Sequence, residues 1–142
     1  MPDFEITVEI AAPPAQVWAV LMDVERWPEW TPTISSVERL ETGPMAVGSR
    51  TRIVQPRLRP AVWHVTELDE KTGVFTWVSR NPGVHVTACH AVHATQYGSR
   101  VTLSTKMGGL LGPLMRRLLA TLNEQYVTTE ANGLKRRCED AV

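Results

Sequence analysis

The residues able to do chemistry are few and sit mostly on the second half of the chain. His85, Cys89 and His93 recur every fourth residue and would stack on one face of a helix as a zinc set. Their neighbours Val84, Val86, Thr87, Val92 and Thr95 favour a strand instead. On a strand, residues four apart stand ~13 Å from one another, too far to share an ion. These three are therefore expected on a solvated face, and no metal or cofactor is expected. His90 falls on the opposite, apolar face with Val84, Val86, Ala88 and Val92. An inward imidazole is a polar anchor for a ligand, a general acid/base toward an enolising substrate, or a buried histidine satisfied by a neighbour. No carboxylate is evidently placed to orient it.

Gln55, in phase with Thr51 and Ile53 and opposite Arg50 and Arg52, turns a lone amide inward, either toward a ligand carbonyl or toward solvent at a strand end. Trp63 and Val65 form the bulkier face of their strand, so His64 points outward. Glu67 shares the Trp63 phase, which requires either a bulge or a carboxylate at a cavity rim. Phe75, Trp77 and Ser79 share one face. Inward aromatics suit flat, apolar ligands, although they also serve as plain core. Trp27 and Trp30 flank Pro28, as a lid over an opening or a plug at a sheet end. Arg50, Arg52, Arg57, Arg59 and Arg80 make either a local anion-attracting patch or a solvated face. Gly108 to Gly112 is no phosphate loop, because no Gly-Lys-Ser/Thr follows, and no Gly-x-Ser-x-Gly elbow occurs.

These side chains must be held by a regular framework. Residues 3–10 alternate, with Phe4, Ile6, Val8 and Ile10 against Glu5, Thr7 and Glu9, which reads as a half-buried strand. Pro13-Pro14 opens a helix carrying Val17, Trp18, Val20 and Leu21, and a second short helical piece follows Asp23, cut short by Pro28 and Pro32. Strands are predicted over 34–41, 49–56, 61–69, 74–80, 84–95 and 100–107, separated by turn residues such as Asn81-Pro82-Gly83. Connections this short imply an antiparallel meander. After Pro113, Leu114, Leu118, Leu122 and Tyr126, with Met115 and Leu119 beside them, mark an amphipathic helix to about residue 139, roughly 40 Å long. The layout is α+β, and a curved sheet under one long helix leaves a concave apolar space of the kind small molecules occupy. Met115, Leu118 and Leu122 are the helix residues expected to face it.

Composition narrows the function classes. The chain has 142 residues, with 15 basic and 15 acidic side chains and a net charge of zero. That suggests one domain over residues 1–142, without the overall field that draws a basic protein to nucleic acid or anionic membrane. A hydrophobic fraction of 43% with 21% charged residues belongs to a globular chain and not a disordered one. Neither a signal peptide nor a membrane-spanning run is visible, and two cysteines fit a reduced compartment, so a cytoplasmic location is expected. Aromatic usage is skewed: five Trp against two Tyr and two Phe.

The order β-αα-β6-α resembles the START-like, birch-pollen-allergen-like superfamily, and within it the bacterial polyketide cyclase/dehydrase group labelled SRPBCC. The residues carrying the likeness are Ala12-Pro13-Pro14-Ala15-Gln16-Val17-Trp18, Val24 to Pro32 with its Trp27 and Trp30, Gly48-Ser49-Arg50, Trp63-His64-Val65-Thr66-Glu67 and the terminal helix. The resemblance implies a helix-grip fold: a seven-stranded antiparallel sheet wrapped around the carboxy-terminal helix with a cavity between. It also implies that Trp27 and Trp30 lie at one end of that cavity, and that the glycine-rich stretch before the long helix borders a flexible mouth. Members bind, carry or transform different hydrophobic molecules. The first expectation is therefore a binder of a lipid, polyketide or aromatic metabolite, as carrier or sensor. The second is a cyclase, aromatase or dehydrase using His90, and the third is a protein-interaction module.

Overall fold

The computed structural model describes residues 1–140. Seven strands form one antiparallel sheet: β1 (Phe4–Ile10), β2 (Ser36–Arg39), β3 (Arg50–Val54), β4 (Ala61–Asp69), β5 (Val74–Asn81), β6 (Val84–Thr95) and β7 (Gly98–Gly108). Their spatial order is β1-β7-β6-β5-β4-β3-β2. Consecutive strands pair from β2 to β7, through a longer connection over residues 40–49 between β2 and β3 and shorter ones thereafter, which is the meander the turn residues predict. The first strand instead pairs with the last, Phe4 opposite Thr105 and Ile10 opposite Ser99. The chain therefore crosses from one sheet edge to the other between β1 and β2, through α1 (Pro14–Met22) and a 3-10 helix, Val24–Glu29. Pro28 lies inside that second piece, and a proline without an N–H favours one short, tight turn over a continuing α-helix.

Strand limits differ from the sequence expectation where the chain must bend. β2 covers only four residues because Ile34 turns into the core, 4% exposed, before pairing begins. β3 stops at Val54, since Pro56 lacks a donor and Arg57 has a left-handed φ of 68°. A β-bulge between Val65 and Glu67 answers the question raised by Glu67. Trp63 and Val65 face inward, the extra residue shifts the phase, and Glu67 emerges on the outer face to accept a hydrogen bond from Thr76 Oγ1 at 3.4 Å.

The long helix, α2 (Gly112–Asp140), lies over the concave face and has two unlike halves. Its carboxy-terminal half is packed: Val127, Ala131, Leu134 and Cys138 are buried. Polar ties fasten it to the β1–α1 corner. Lys135 Nζ donates to the Glu9 carbonyl at 2.7 Å, and the Ala11 N–H donates to Glu139 Oε2 at 2.9 Å. Gly133 explains how close the packing is, since a Cβ there would stand 2.1 Å from the Trp30 carbonyl oxygen. The amino-terminal half is richer in leucine yet more exposed, because beneath it lies a cavity in place of side chains. No helix among the described residues is long and apolar enough to cross a membrane.

Candidate functional site

The cavity between the sheet and α2 has a volume of about 620 Å³ and opens to solvent. Strand alternation supplies its floor. Inward positions on β3 to β7 bring Ile53, Trp63, Trp77, Ser79, Val86, Ala88, His90 and Met107 to one surface. The roof is a stripe of α2: Met115, Leu119, Leu122 and Tyr126, preceded by Leu111. Trp27, from the 3-10 helix, closes the inner end. Its Nε1–H is tied to the Leu21 carbonyl at 3.1 Å, which sets the ring's orientation.

Trp27, Gln55, Trp63, Trp77, His90, Met115 and Leu122 thus line one space. Three expected lining residues do not, each for a packing reason. Trp30 is 9% exposed and lies behind Trp27, with ring centroids 5.5 Å apart, wedged over Gly133. Of the two tryptophans, one borders the cavity and the other plugs the sheet end. Phe75 shares the inward face of Trp77 and Ser79 but is fully buried beyond the lining, stacked on the His90 ring at 4.7 Å and 16°. Leu118 is 65% exposed and Leu114 50%. The helix presents its neighbouring stripe inward, so Leu119 lies where Leu118 was expected. Both stripes are apolar in the first two turns, and periodicity alone could not choose between them.

The aromatic wall is continuous: Trp27 to Trp77 is 5.3 Å between centroids and Trp77 to Trp63 is 5.7 Å, in tilted arrangements favourable to π systems. Its polar features are discrete. Trp63 Nε1 is buried without a hydrogen-bond partner among the described residues. Such a donor is costly to leave unpaired. Gln55 donates to the Thr33 carbonyl at 3.3 Å, which leaves its Oε1 as an acceptor at the rim. Asn123 and Thr105, which also border the space, bond to each other at 2.8 Å.

His90 is 3% exposed, and its Nδ1 lies 3.0 Å from the Phe75 carbonyl oxygen. A carbonyl only accepts, so Nδ1 carries the hydrogen; in the neutral ring Nε2 then keeps its lone pair. That nitrogen stands 3.8 Å from Glu130 Oε1, and both residues border the cavity. The expectation that no carboxylate orients His90 is corrected here. A signal existed in the chain: Glu130 continues the inner stripe Met115, Leu119, Leu122, Tyr126 at helical spacing. A charged residue in phase with a buried face marks a functional candidate, and that phase became evident only once the inner stripe was known. Ser79, in phase with Trp77 in the sequence, lies on the floor, and Arg59, one of the arginines of the patch considered there, borders the mouth. By contrast, His85, Cys89 and His93 lie along the outward-facing positions of β6, apart from this site.

Two further groups have shifted titration. Burial pushes the Cys138 thiol up to about 11, with the nearby Glu139 carboxylate adding to the effect. The Ala11 N–H and then Lys135 hold the Glu139 carboxyl below its ordinary value. Both lie at the fastened end of α2, far along the helix from the mouth.

Comparison with known proteins agrees with this architecture. No curated protein matches the chain. Among solved structures, the protein TTHA0849 from Thermus thermophilus is 21% identical with a TM-score of 0.77, over 96% of this chain and 97% of that one. The Zhui aromatase/cyclase from Streptomyces sp. R1128 is 22% identical with a TM-score of 0.74, over 96% and 92%. The protein Ara h 8.0201 is 16% identical with a TM-score of 0.71, over 95% of each. Likeness at these identities establishes a shared helix-grip fold and no shared activity. The family model described as "Polyketide cyclase / dehydrase and lipid transport" matches residues 1–139, and the chain, in sequence as in fold, belongs to that family.

Proposed function

We propose that the chain acts as one ligand-binding domain whose cavity takes up a hydrophobic small molecule of the lipid, polyketide or aromatic-metabolite class, as carrier or sensor. The observation that carries this reading is the cavity itself. About 620 Å³ of space walled by Trp27, Trp63, Trp77 and an aliphatic helix stripe falls within the range of small-molecule sites. Hydrophobic burial supplies the affinity, and the few inward polar groups supply orientation. The test is solvent extraction of the purified protein followed by mass spectrometry, with titration of tryptophan fluorescence by the extracted compounds. Three tryptophans border the cavity, so binding there changes their emission saturably. Absence of any saturable response to apolar aromatic, polyketide-like and fatty ligands overturns the reading.

A second reading, a cyclase or dehydrase, is favoured by the His90–Glu130 pair. Nε2 is positioned to take a proton from carbon between two carbonyls of a folded poly-β-keto chain, with Glu130 stabilising the imidazolium. The carbanion adds to a ketone carbon further along the chain, forming the ring C–C bond, and the imidazolium protonates the resulting alkoxide to a hydroxyl; Nε2 then takes a second α-proton and returns it to that hydroxyl, so that water leaves and a double bond forms. General acid/base groups of this kind contribute about 10²–10⁴-fold to rate. Turnover of a poly-β-keto mimic that His90→Ala abolishes, with binding intact, supports this reading; turnover unchanged by the substitution removes His90 from it.

A further inference from the structure

The cavity accounts for the inner stripe of α2 and leaves the outer stripe unexplained. Leu114 is 50% exposed and Leu118 65%, four residues apart on the side of the helix turned to solvent, and Leu110, in the turn just before the helix, is 96% exposed. Beyond Leu118 that side becomes polar, with Thr121 and Gln125. Leu111, 47% exposed, and Leu58, 36% exposed, belong both to this surface and to the cavity lining, so the apolar patch runs without a break into the mouth. Scattered surface leucines are ordinary; a cluster at one opening is not.

Charge is sorted in the same place. The segments that meet at this end are 55–60, 80–85 and 106–123. The strand register brings them together, with Asn81 opposite Val84 and His85 opposite Gly108. They contain Arg57, Arg59, Arg80, Lys106, Arg116 and Arg117, and no Asp or Glu. In a protein of zero net charge this is a local excess. Arg116 pairs with Asp3 at 2.9 Å, whereas Arg57, Arg59, Arg80 and Arg117 have no ion-pair partner among the described residues. The rim loop is also held in shape: Arg57 sits at φ 68°, Leu58 N–H donates to the Gln55 carbonyl at 3.2 Å, and the Tyr126 hydroxyl bonds the Pro56 carbonyl.

Exposed leucines at an end of the molecule that also carries arginines without ion-pair partners match the interface of an anionic bilayer, apolar below the headgroups and negative at them. A second copy of this face is a poor match, because it would set arginine against arginine. A nucleic acid would leave the leucines without a partner. We propose that the mouth end, through Leu110, Leu114 and Leu118 with Arg57, Arg80 and Arg117, docks reversibly on an anionic lipid surface. An apolar molecule could then pass between bilayer and cavity without crossing water. This goes beyond the cavity-binding reading, and the docking stands or falls separately from it.

The test is flotation of the full chain with phosphatidylcholine vesicles, with and without phosphatidylglycerol. Binding of N-phenyl-naphthylamine by the cavity is measured in parallel. The protein is expected to float with the anionic vesicles, less with neutral ones, and less in raised salt. Leu110→Ser with Leu114→Ser lowers partitioning about tenfold, as removal of apolar side chains inserted in the interface requires. Arg57→Gln, Arg80→Gln and Arg117→Gln together remove most of the salt dependence. Both variants keep the native melting temperature and naphthylamine binding, because none of these residues borders the cavity. No flotation, flotation equal in the variants, or a solution dimer that the leucine substitutions dissociate would each overturn the docking. If naphthylamine fails to bind while flotation behaves as described, the cavity reading falls and the docking surface remains.

Discussion

His90 shows how one hydrogen bond decides a side chain's chemistry. The Phe75 carbonyl selects the tautomer, so the basic nitrogen is the one facing Glu130 and the cavity. Glu130→Gln is therefore expected to lower any His90-dependent turnover by about 10- to 100-fold while ligand titration curves stay unchanged; equal loss in both measurements would assign Glu130 to binding alone. The unpaired Trp63 N–H leads to a second expectation. Trp63→Phe keeps most of the apolar wall but removes the donor. That donor is closed off from the cavity, so affinity for a ligand with a carbonyl acceptor and for its deoxy analogue should change alike in paired fluorescence titrations. The two cysteines separate by environment. Cys138, buried and with its thiol pushed up to about 11, should resist alkylation at pH 8 in the folded protein; the partly exposed Cys89 should react first, as peptide mapping would reveal. His90 facing inward was legible from strand alternation alone. Glu130 was not, because its meaning depends on which face of a helix lies over the floor.

At the scale of elements, α2 is a lever fastened at one end. Its carboxy-terminal half fits so closely over Trp30 that Gly133→Ala should cost about 1–3 kcal/mol through overpacking, despite the better helix propensity of alanine, measured by denaturant unfolding. The Glu139 ties give a pH signature. Its carboxyl is held below the usual 4.5, so the stability it contributes is present above that value and lost as pH falls through the lower, folded value. Glu139→Gln should therefore be less stable than the native chain at pH 7 by under ~1 kcal/mol, given its solvent exposure, and indistinguishable from it in strong acid. The element order and most strand limits could be read directly from proline, glycine and period-two alternation. The α2 face was misread because two adjacent stripes are leucine-rich where the cavity begins. Hydrophobic periodicity reports that a face is apolar and not what covers it.

For the whole molecule, a large internal space means that the core is incomplete when empty. Filling it should stabilise the fold by mass action: a ligand at a hundred times its Kd adds ~2.7 kcal/mol, or roughly 5–10 °C in melting temperature for a chain of this length. Ala88→Phe, which projects a ring into the cavity from β6, should abolish that shift without lowering the melting temperature of the empty protein; retained ligand-dependent stabilisation would place binding elsewhere. Zero net charge likewise takes on a different meaning at this scale. The balance is an average over a basic mouth and acidic residues elsewhere, and only the fold brings the arginines together.

The sequence by itself determined the α+β layout, the antiparallel meander, the inward phase of Trp77 and His90, and the family resemblance, because these depend on local periodicity, turn chemistry and residue order. Only the tertiary structure decided which tryptophan borders the cavity, that a bulge turns Glu67 outward, that Glu130 meets His90, and that Leu114 and Leu118 face solvent. Those outcomes depend on how α2 is set over the sheet, and that setting is fixed by contacts between residues a hundred positions apart.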